Sequence, residues 1–247
     1  MFSKSQIKLI NSLGQKKYRH KHKLFVAEGK KAILELLAFS LRLHSLYTTE
    51  DIFEAEEEKT HFIAEVDLKK ISKLTTPQTA LAVFHLPAPR EPKIAGLMVA
   101  LDNVQDPGNL GTIIRMCDWF GIEELICSEG TVDCYNPKVV QATMGSIARV
   151  NINYLSLPIF LKEAGTKFPV YGAFLEGENI YSENLEPEGV IVMGNEANGI
   201  SSEVEAFITK KLVIPQFGAE QETESLNVAT ATAIFLSEFR RGAFTEK

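Results

Sequence analysis

From Leu97 onward, short apolar runs alternate with stretches of helical spacing, and this alternation constrains the fold more than any other feature of the chain. Buried strands separated by helices are typical of a parallel sheet that is covered by helices on both faces. We therefore predict an α/β domain with a mostly parallel sheet. The predicted strands span 95–101, 124–127, 149–154, 170–175, 190–193 and 211–214, and the predicted helices include 110–120, 137–146, 158–166 and 202–209.

A smaller α/β pattern precedes this one. Apolar runs near 24–27, 43–47, 61–64 and 80–84 predict strands, and helices are predicted over 3–13 and 29–38. Three prolines within residues 86–93 then indicate an extended linker. We predict a small α/β domain over 1–88, a linker over 89–93 and a larger domain over 94–247.

Charge is divided unevenly between these two parts. The net charge is −6, yet residues 1–93 carry 16 Lys+Arg against 11 Asp+Glu, whereas residues 94–247 carry 10 against 21. This asymmetry indicates nucleic-acid contact by the basic part. No apolar run approaches the roughly 18 residues of a membrane helix, and the N-terminus lacks the apolar core of a signal peptide. The three cysteines lack zinc spacing, so we expect reduced thiols in a cytoplasmic protein.

The stretch 97–121 joins an apolar run to a helix through a polar loop. The sequence DPGN at 106–109 predicts a turn, with Asn109 placed to cap the helix. Gly111 and Arg115 lie on one side of that helix, so approachable backbone lies beside a guanidinium at the carboxyl end of a strand. Open α/β sheets place their sites at such ends. Taken alone, the stretch fits a solvated Arg on a surface helix equally well.

Two further polar loops follow apolar strands. After 190–193 comes a glycine-containing loop with Glu196, which admits a flat ligand and offers hydrogen-bond acceptors; Ser202 and Glu205 predict a capping box after it. The alternative for this loop is a plain polar turn. After 211–214, a polar loop leads to Ser225, where a long helix with several alanines opens, and Ser225 is alternatively a simple N-cap.

Several familiar chemistries are absent from the sequence. It contains no G-x-G-x-x-G after a strand, no G-x-x-x-x-G-K-[ST] and no G-x-S-x-G. The five histidines all precede the linker: His20, His22, His44, His61 and His85. A histidine base or a metal site in the larger domain is therefore not expected, and its chemistry must use Arg, Glu, Ser, Asn and backbone groups.

Together, the three loops resemble the three signature motifs of the SpoU (TrmH-type) RNA 2′-O-ribose methyltransferases of the SPOUT superfamily. The matches, in the family's order, are Asp102-Asn103 with 106–111 and Arg115, then Gly194-Asn195-Glu196 with Gly199, then Ile214-Pro215 with 225–228. The resemblance covers about 94–247. The basic N-terminal part is similar, less closely, to the small substrate-binding domain of many members, through 23–29.

The resemblance implies a C-terminal SPOUT-type parallel sheet with a deep trefoil knot, preceded by a small α/β substrate-binding domain, and a homodimer with its sites near the interface. It implies S-adenosylmethionine as cofactor, and no metal. By motif, the cofactor-binding positions are Leu175, Gly194, Asn195, Ile214 and Leu226. The positions linked to catalysis or to building the site are Asn109, Arg115, Glu196, Ser225 and Asn227.

A sulfonium methyl is already activated, so catalysis needs mainly alignment and removal of the 2′-OH proton. In the family, the Arg at position 115 is proposed to assist that proton removal. Because a guanidinium is a very weak acid and therefore a poor general base once charged, we expect Arg115 to hold an RNA phosphate and to stabilise the developing alkoxide.

RNA contact is predicted from charge. Lys17, Arg19, Lys21 and Lys23 alternate with Tyr18, His20 and His22. Cations suit phosphates and aromatic rings suit unstacked bases, so we predict that the four basic residues bind RNA. The alternative is a solvated, mobile loop.

Two features depart from the family pattern. Ala197 stands where many members have glycine, and the loop 216–224 is longer and more acidic, with Glu220, Glu222 and Glu224. Such a loop either orders on RNA binding or restricts the substrate. We interpret the chain as a cytoplasmic, dimeric RNA 2′-O-methyltransferase acting on ribosomal RNA, with transfer RNA second and no membrane partner. A non-catalytic RNA-binding relative is the alternative, and a nucleotide-linked oxidoreductase lacks its glycine fingerprint.

Overall fold

The computed structural model describes residues 2–218 and 225–244. The acidic residues Glu220, Glu222 and Glu224 lie outside the described residues. The described strands are β1 (Leu24–Glu28), β2 (Leu43–Thr48), β3 (Thr60–Phe62), β4 (Ala80–His85), β5 (Leu97–Leu101), β6 (Glu124–Cys127), β7 (Asn151–Tyr154), β8 (Val170–Asn179), β9 (Gly189–Met193) and β10 (Lys210–Val213). The described α-helices are α1 (Lys4–Ser12), α2 (Lys16–His22), α3 (Lys30–Ala38), α4 (Glu65–Ile71), α5 (Pro107–Trp119), α6 (Pro137–Thr143), α7 (Leu157–Ala164), α8 (Ser202–Glu205) and α9 (Val228–Arg240).

The chain forms two compact units. The first comprises Met1–Pro89 with Asp133–Arg149, and the second comprises Arg90–Val132 with Val150–Lys247. The break after Pro89 falls in the predicted linker. Residues 133–149, which the sequence analysis placed in the larger domain, pack instead with the first unit: the Tyr135 ring lies 4.9 Å from that of Phe25. The local sequence pattern does not reveal that this segment belongs to the first unit, because its position depends on contacts between residues that are distant in sequence.

The first unit is built on a mixed four-stranded sheet. Its strand order is β1-β4-β2-β3, with β4 antiparallel to both neighbours. Helix α1 begins with a complete capping box, in which Ser3 accepts the Gln6 N–H and the Gln6 side chain accepts the Ser3 N–H. Apolar residues of α1 and α4 pack on the sheet, among them Ile10, Leu13, Leu68 and Ile71. Helices α2 and α4 were not predicted.

The second unit contains a six-stranded sheet in the order β10-β8-β9-β5-β6-β7, and every described strand pair in it is parallel. The predicted parallel sheet is therefore confirmed. All residues of the central strands β5 and β9 are buried, which explains their uninterrupted apolar sequences. The chain runs outward from β5 in one direction through β6 and β7 and later returns on the other side of β5. The carboxyl ends of β5 and β9 thus flank a reversal of strand order, the usual position of a ligand crevice.

The register between β8 and β10 is interrupted. Lys211 lies opposite Gly172, but the next residue, Leu212, lies opposite Glu178. Residues 173–177 therefore bulge out of the pairing, and Leu175 lies in the middle of the bulge. No helix within 2–218 or 225–244 is both long and apolar enough to cross a bilayer.

Candidate active site at the carboxyl ends of the central strands

Asp102, directly after β5, fastens two chain segments together. Its side chain is 2% exposed. One carboxylate oxygen accepts the Ser201 N–H at 2.7 Å, and the other accepts the Asn103 side-chain amide at 2.9 Å. The Asp102 N–H donates to the Met193 carbonyl at 2.9 Å. The end of β5 is thus tied to both ends of the 194–201 loop.

The 194–201 loop is tightly closed on itself. Asn195 and Gly199 exchange backbone hydrogen bonds at 2.8 and 2.9 Å. A Cβ on Gly194 would lie 2.3 Å from the Gly199 carbonyl carbon, so only glycine permits this approach. The Asn195 side chain accepts the Ala197 and Asn198 N–H groups and donates to the Asn103 carbonyl at 2.6 Å. Asn195, a predicted cofactor contact, thus uses most of its polar groups to shape the loop.

Three predicted site residues from three loops meet in one hydrogen-bonded group. The Asn109 side-chain amide donates to a Glu196 carboxylate oxygen at 2.9 Å. Its carbonyl oxygen accepts the Asn227 side-chain amide, also at 2.9 Å. The second Glu196 oxygen lies 3.5 Å from the Gln105 N–H. Glu196 and Asn227 are exposed to solvent and Asn109 is partly buried, so the group lines an accessible surface.

Helix caps at the site differ from those predicted. Asp106 caps α5 by accepting the Asn109 N–H at 2.8 Å, and Pro107 occupies the first helical position, so Asn109 is not the cap. Asn227, not Ser225, caps α9 by accepting the Ala229 and Thr230 N–H groups. The predicted capping box at Ser202 is also wrong.

At α8 the N-cap is Ser201, and its side chain makes no capping hydrogen bond. The reason is local: the Ser201 N–H is already bound to Asp102, which places the helix start one residue earlier than the sequence pattern indicates.

Arg115 lies two turns along α5 from the hydrogen-bonded group. It is exposed and forms no hydrogen bond or ion pair with any residue in the described part of the chain. The neighbouring helix positions Ile113, Ile114 and Cys117 are fully buried, which fixes the helix that carries it. Burial raises the pKa of the Cys117 thiol well above its ordinary value, so this sulfur stays protonated and unreactive. Ser225 is likewise exposed, next to the α9 cap.

Two apolar side chains, one in the β8 bulge and one just before α9, are uncovered. Leu175 is 70% exposed, and Leu226, just before the α9 cap, is 47% exposed. Ile214 is partly buried after β10. Apolar side chains beside glycine-rich backbone suit a flat, partly polar ligand such as a nucleoside. The predicted cofactor positions therefore fit the cofactor implied by sequence.

The predicted RNA-binding residues divide into two kinds. Lys17, Lys21 and Lys23 are exposed on or just after α2. Arg19 is 2% exposed, and its guanidinium pairs with Asp133 and donates to the Leu13 carbonyl at 2.8 Å. The prediction that Arg19 contacts RNA is therefore wrong, because its donors are used inside the first unit.

Sequence reasoning missed the roles of Asp102, Asp106 and Gln105. Asp102 had a detectable signal, since a charged residue directly after a fully apolar strand is expected to have buried partners. The Asp106 cap was also detectable, because Asp before Pro is a common helix start. The backbone contact of Gln105 has no signal in its side-chain type.

Comparison with known proteins defines the class of this fold and site. The SpoU rRNA methylase family model matches residues 96–237, which include all three loops, and the MRM3-like substrate binding domain model matches residues 4–82. The chain belongs to the SpoU methylase family.

Individual relatives extend over nearly the whole chain. The 23S rRNA (guanosine(2553)-2′-O)-methyltransferase RlmP of Bacillus subtilis is 30% identical over 245 residues, covering 95% of this chain and 96% of that protein. The AdoMet-bound rRNA methyltransferase of Sinorhizobium meliloti superposes with a TM-score of 0.84 at 29% identity, covering 98% and 97% of the two chains. A TrmH-family protein of Porphyromonas gingivalis gives a TM-score of 0.89 at 43% identity, covering 98% and 99%.

Proposed function

We propose that this protein transfers a methyl group from S-adenosylmethionine to a ribose 2′-OH of ribosomal RNA. The observation that carries the proposal is the Asn109–Glu196–Asn227 group, which joins the three family motifs at the carboxyl ends of β5 and β9. The nearly full-length similarity to an rRNA 2′-O-methyltransferase supports ribosomal RNA as the substrate.

The cofactor contacts are assigned to four backbone regions. The main chain around Leu175, Gly194, Ile214 and Leu226 would hold the adenine and ribose, and the exposed leucines would cover the ring. Asn195 would keep the 194–199 loop closed. When bound, S-adenosylmethionine supplies an activated methyl group, so the protein needs no metal to activate it.

Arg115 is assigned the charge at the reacting centre. Its guanidinium has no partner among the described residues, so its donors are available to bind an RNA phosphate and to stabilise the oxygen from which the proton leaves. Glu196 is proposed to orient the substrate, because Asn109 holds one of the Glu196 carboxylate oxygens in place. Asn109 and Asn227 would act as positioning residues, and the exposed Ser225, beside the α9 cap, would contact the substrate.

We also infer that the second unit is knotted. Helix α9 follows β10, an edge strand, yet it packs on α5, which follows the central strand β5. This return from the edge of the sheet to its centre supports a terminal segment threaded past the 194–201 loop, which is fastened to β5 through Asp102. An experimental density trace through residues 214–228 tests this inference, and a terminal segment lying outside the loop would contradict it.

A homodimer is proposed as the working form. Trp119, at the end of α5, is 81% exposed, and an exposed indole of this kind commonly marks a protein interface. Light scattering should give twice the chain mass of 27.5 kDa. A monomeric mass at working concentration would contradict the proposal.

The small α/β domain predicted over residues 1–88, which lies within the first unit, is proposed to bind the RNA substrate in the cytoplasm. Lys17, Lys21 and Lys23 provide exposed positive charge for phosphates. The match to the MRM3-like substrate binding domain supports this role.

The decisive experiment maps 2′-O-methylation across total RNA from cells with and without the protein. We expect one ribosomal RNA nucleotide to lose its methyl group and to regain it when purified protein and S-adenosylmethionine are added. Arg115→Ala protein should not restore the methyl group. If a transfer RNA nucleotide loses its methyl group instead, the substrate is transfer RNA and not ribosomal RNA. A relative with that substrate in its name is the tRNA (guanosine(18)-2′-O)-methyltransferase of Aquifex aeolicus, which is 33% identical over 151 residues. An unchanged map and no cofactor binding would favour a non-catalytic RNA-binding protein.

A further inference from the structure

Three basic side chains lie at one end of the first unit's sheet, at the start of β2 and the end of β4. We name Arg42, His44 and His85 the sheet-end cluster. The His85 N–H donates to the Arg42 carbonyl at 2.9 Å, and the imidazole centroids of His44 and His85 lie 5.5 Å apart. Next to them on β1, the Lys23 carbonyl accepts the Leu86 N–H at 2.9 Å. The cluster thus lies next to Lys23, the exposed lysine that directly follows α2.

The surroundings of the cluster are positive. The pKa of His44 is lowered by burial, and next by the charges of His61 and Lys59. The pKa of His85 is lowered by burial, and next by Arg42, His44 and Lys59. Glu56, Glu57 and Glu58 lie in the turn before β3, where Glu56 pairs with Lys59 at 2.5 Å. Arg42 has no ion pair with any residue that the structure describes.

Within the described part of the chain, no side chain of the sheet-end cluster is paired with a carboxylate, and such a positive cluster is suited to an anionic partner. The ends of β1, β4 and β2 are successive neighbours, so the surface spans about 10 Å at roughly 4.8 Å per strand. This width exceeds a single phosphate and suits several phosphates along a nucleic-acid backbone. Neither histidine is fully buried, and His44 and Arg42 are exposed, so the surface can be reached by a large partner.

We propose that the sheet-end cluster binds consecutive phosphates of the RNA substrate and takes up protons as it does so. This inference rests on the proposed function, since it takes RNA as the substrate. It adds a second contact surface to the lysines of α2. Phosphates favour the charged form of each imidazole, so bound RNA raises the affinity of both histidines for protons. RNA affinity therefore increases as pH falls from about 7.5 to about 5.5.

The test compares a triple variant, Arg42→Ala/His44→Gln/His85→Gln, with wild type. Binding of an unmodified 23S rRNA transcript is measured between about 50 and 200 mM salt, at pH values of about 6 and 8. The matched control, Lys4→Ala/Lys8→Ala/Lys69→Ala, removes three exposed charges from α1 and α4. We expect the triple variant to bind about tenfold or more weakly at the lower pH, with a salt slope reduced by about 1 to 2.

A double variant, His44→Gln/His85→Gln, isolates the proton linkage. It should remove most of the pH dependence of RNA affinity while it retains the Arg42 contribution. Circular dichroism and S-adenosylmethionine binding should match wild type in every variant, since the substitutions lie in the first unit. Triple-variant affinity, salt slope and pH profile equal to wild type would overturn the inference. If wild type binds the transcript but methylates no RNA, the proposed function fails while the binding comparison still decides this inference.

Discussion

The Asn109 side-chain amide donates to a Glu196 carboxylate oxygen at 2.9 Å and simultaneously accepts from Asn227. Both ends of the Asn109 amide are therefore engaged, and its orientation is determined by its partners. Since Asp106 caps α5 through the Asn109 backbone, the same residue is fixed at main chain and side chain. This arrangement links the first and third motifs to Glu196 and supports the positioning role that we propose for Asn109.

Asn109→Asp is expected to reduce methyl transfer by about 10²-fold, because it replaces a donor with a carboxylate facing Glu196 and displaces that side chain. Single-turnover rates measure the loss. Asn179→Asp is the matched control: Asn179 accepts the Tyr181 N–H at 3.0 Å, a role that aspartate retains. Equal losses in both variants would show that added negative charge, rather than the lost donor, causes the effect.

Arg115→Ala is expected to lower the methyl-transfer rate by about 10²–10³-fold and to leave S-adenosylmethionine affinity within about twofold. The reason is that Arg115 contacts no described residue, so its removal leaves the site intact. Calorimetry and single-turnover kinetics separate the two effects. Arg90→Ala, an exposed arginine of the same unit, should be active. Near wild-type turnover of Arg115→Ala would remove Arg115 from the mechanism.

Asp102→Ala should destabilise the protein by about 1–3 kcal/mol, because the partly buried Ser201 N–H loses its acceptor. It should also weaken S-adenosylmethionine binding, since the 194–201 loop loses its attachment to β5. Asp102→Asn keeps one acceptor oxygen and should have smaller effects in both measurements. Urea unfolding and calorimetry give the two quantities, and wild-type cofactor affinity in Asp102→Ala would disprove the loop-fastening role.

Arg19→Ala should lower the stability of the protein, whereas Lys17→Ala/Lys21→Ala should lower its affinity for RNA. Removing Arg19 leaves the Asp133 carboxylate unpaired in a mostly buried position, which costs about 3–5 kcal/mol of stability. The double lysine variant should keep its stability and bind RNA more weakly, with a salt slope lower by about 1 per lost phosphate contact. Thermal unfolding and salt-dependent RNA titration distinguish these outcomes; an unchanged salt slope would exclude the α2 lysines from the RNA contact.

Stability of the RNA-free protein should fall as pH falls through the histidine range. The pKa values of His44 and His85 are lowered below the ordinary 6.5, so the unfolded chain binds more protons than the folded chain in that window. The loss of folding stability begins at about pH 7.5 as pH falls, and it becomes constant below the pKa values that the two histidines have in the folded state. Urea midpoints across this range should decline in wild type and decline less in His44→Gln/His85→Gln. Parallel declines would assign the effect to other groups.

The loops of the site were recognisable because their chemistry is local. Each of the three motifs consists of residues that are close in sequence: a strand ending in Asp-Asn, a glycine-containing loop with Glu196, and the Ser-Leu-Asn helix start. The three also occur in the order that the family resemblance predicts. The apolar periodicity likewise predicted the six strands of the second unit to within a few residues, and the signal is clearest in β5 and β9, where every residue is buried. The short helices α2 and α4 escaped, since their stability comes from packing rather than from an apolar repeat.

By itself, the sequence determined the α/β class, the parallel sheet and the three loops, because strand burial and turn chemistry depend on neighbouring residues. Only the tertiary structure decided which side chains meet. In the folded chain, Asn109 contacts Glu196 and Asn227, which are more than eighty residues away in sequence. Residues 133–149 pack with the first unit, and Arg19 is buried in an ion pair with Asp133. The physical reason is that a polar side chain removed from water needs a hydrogen-bond partner, and tertiary packing rather than sequence position determines which partner is within reach.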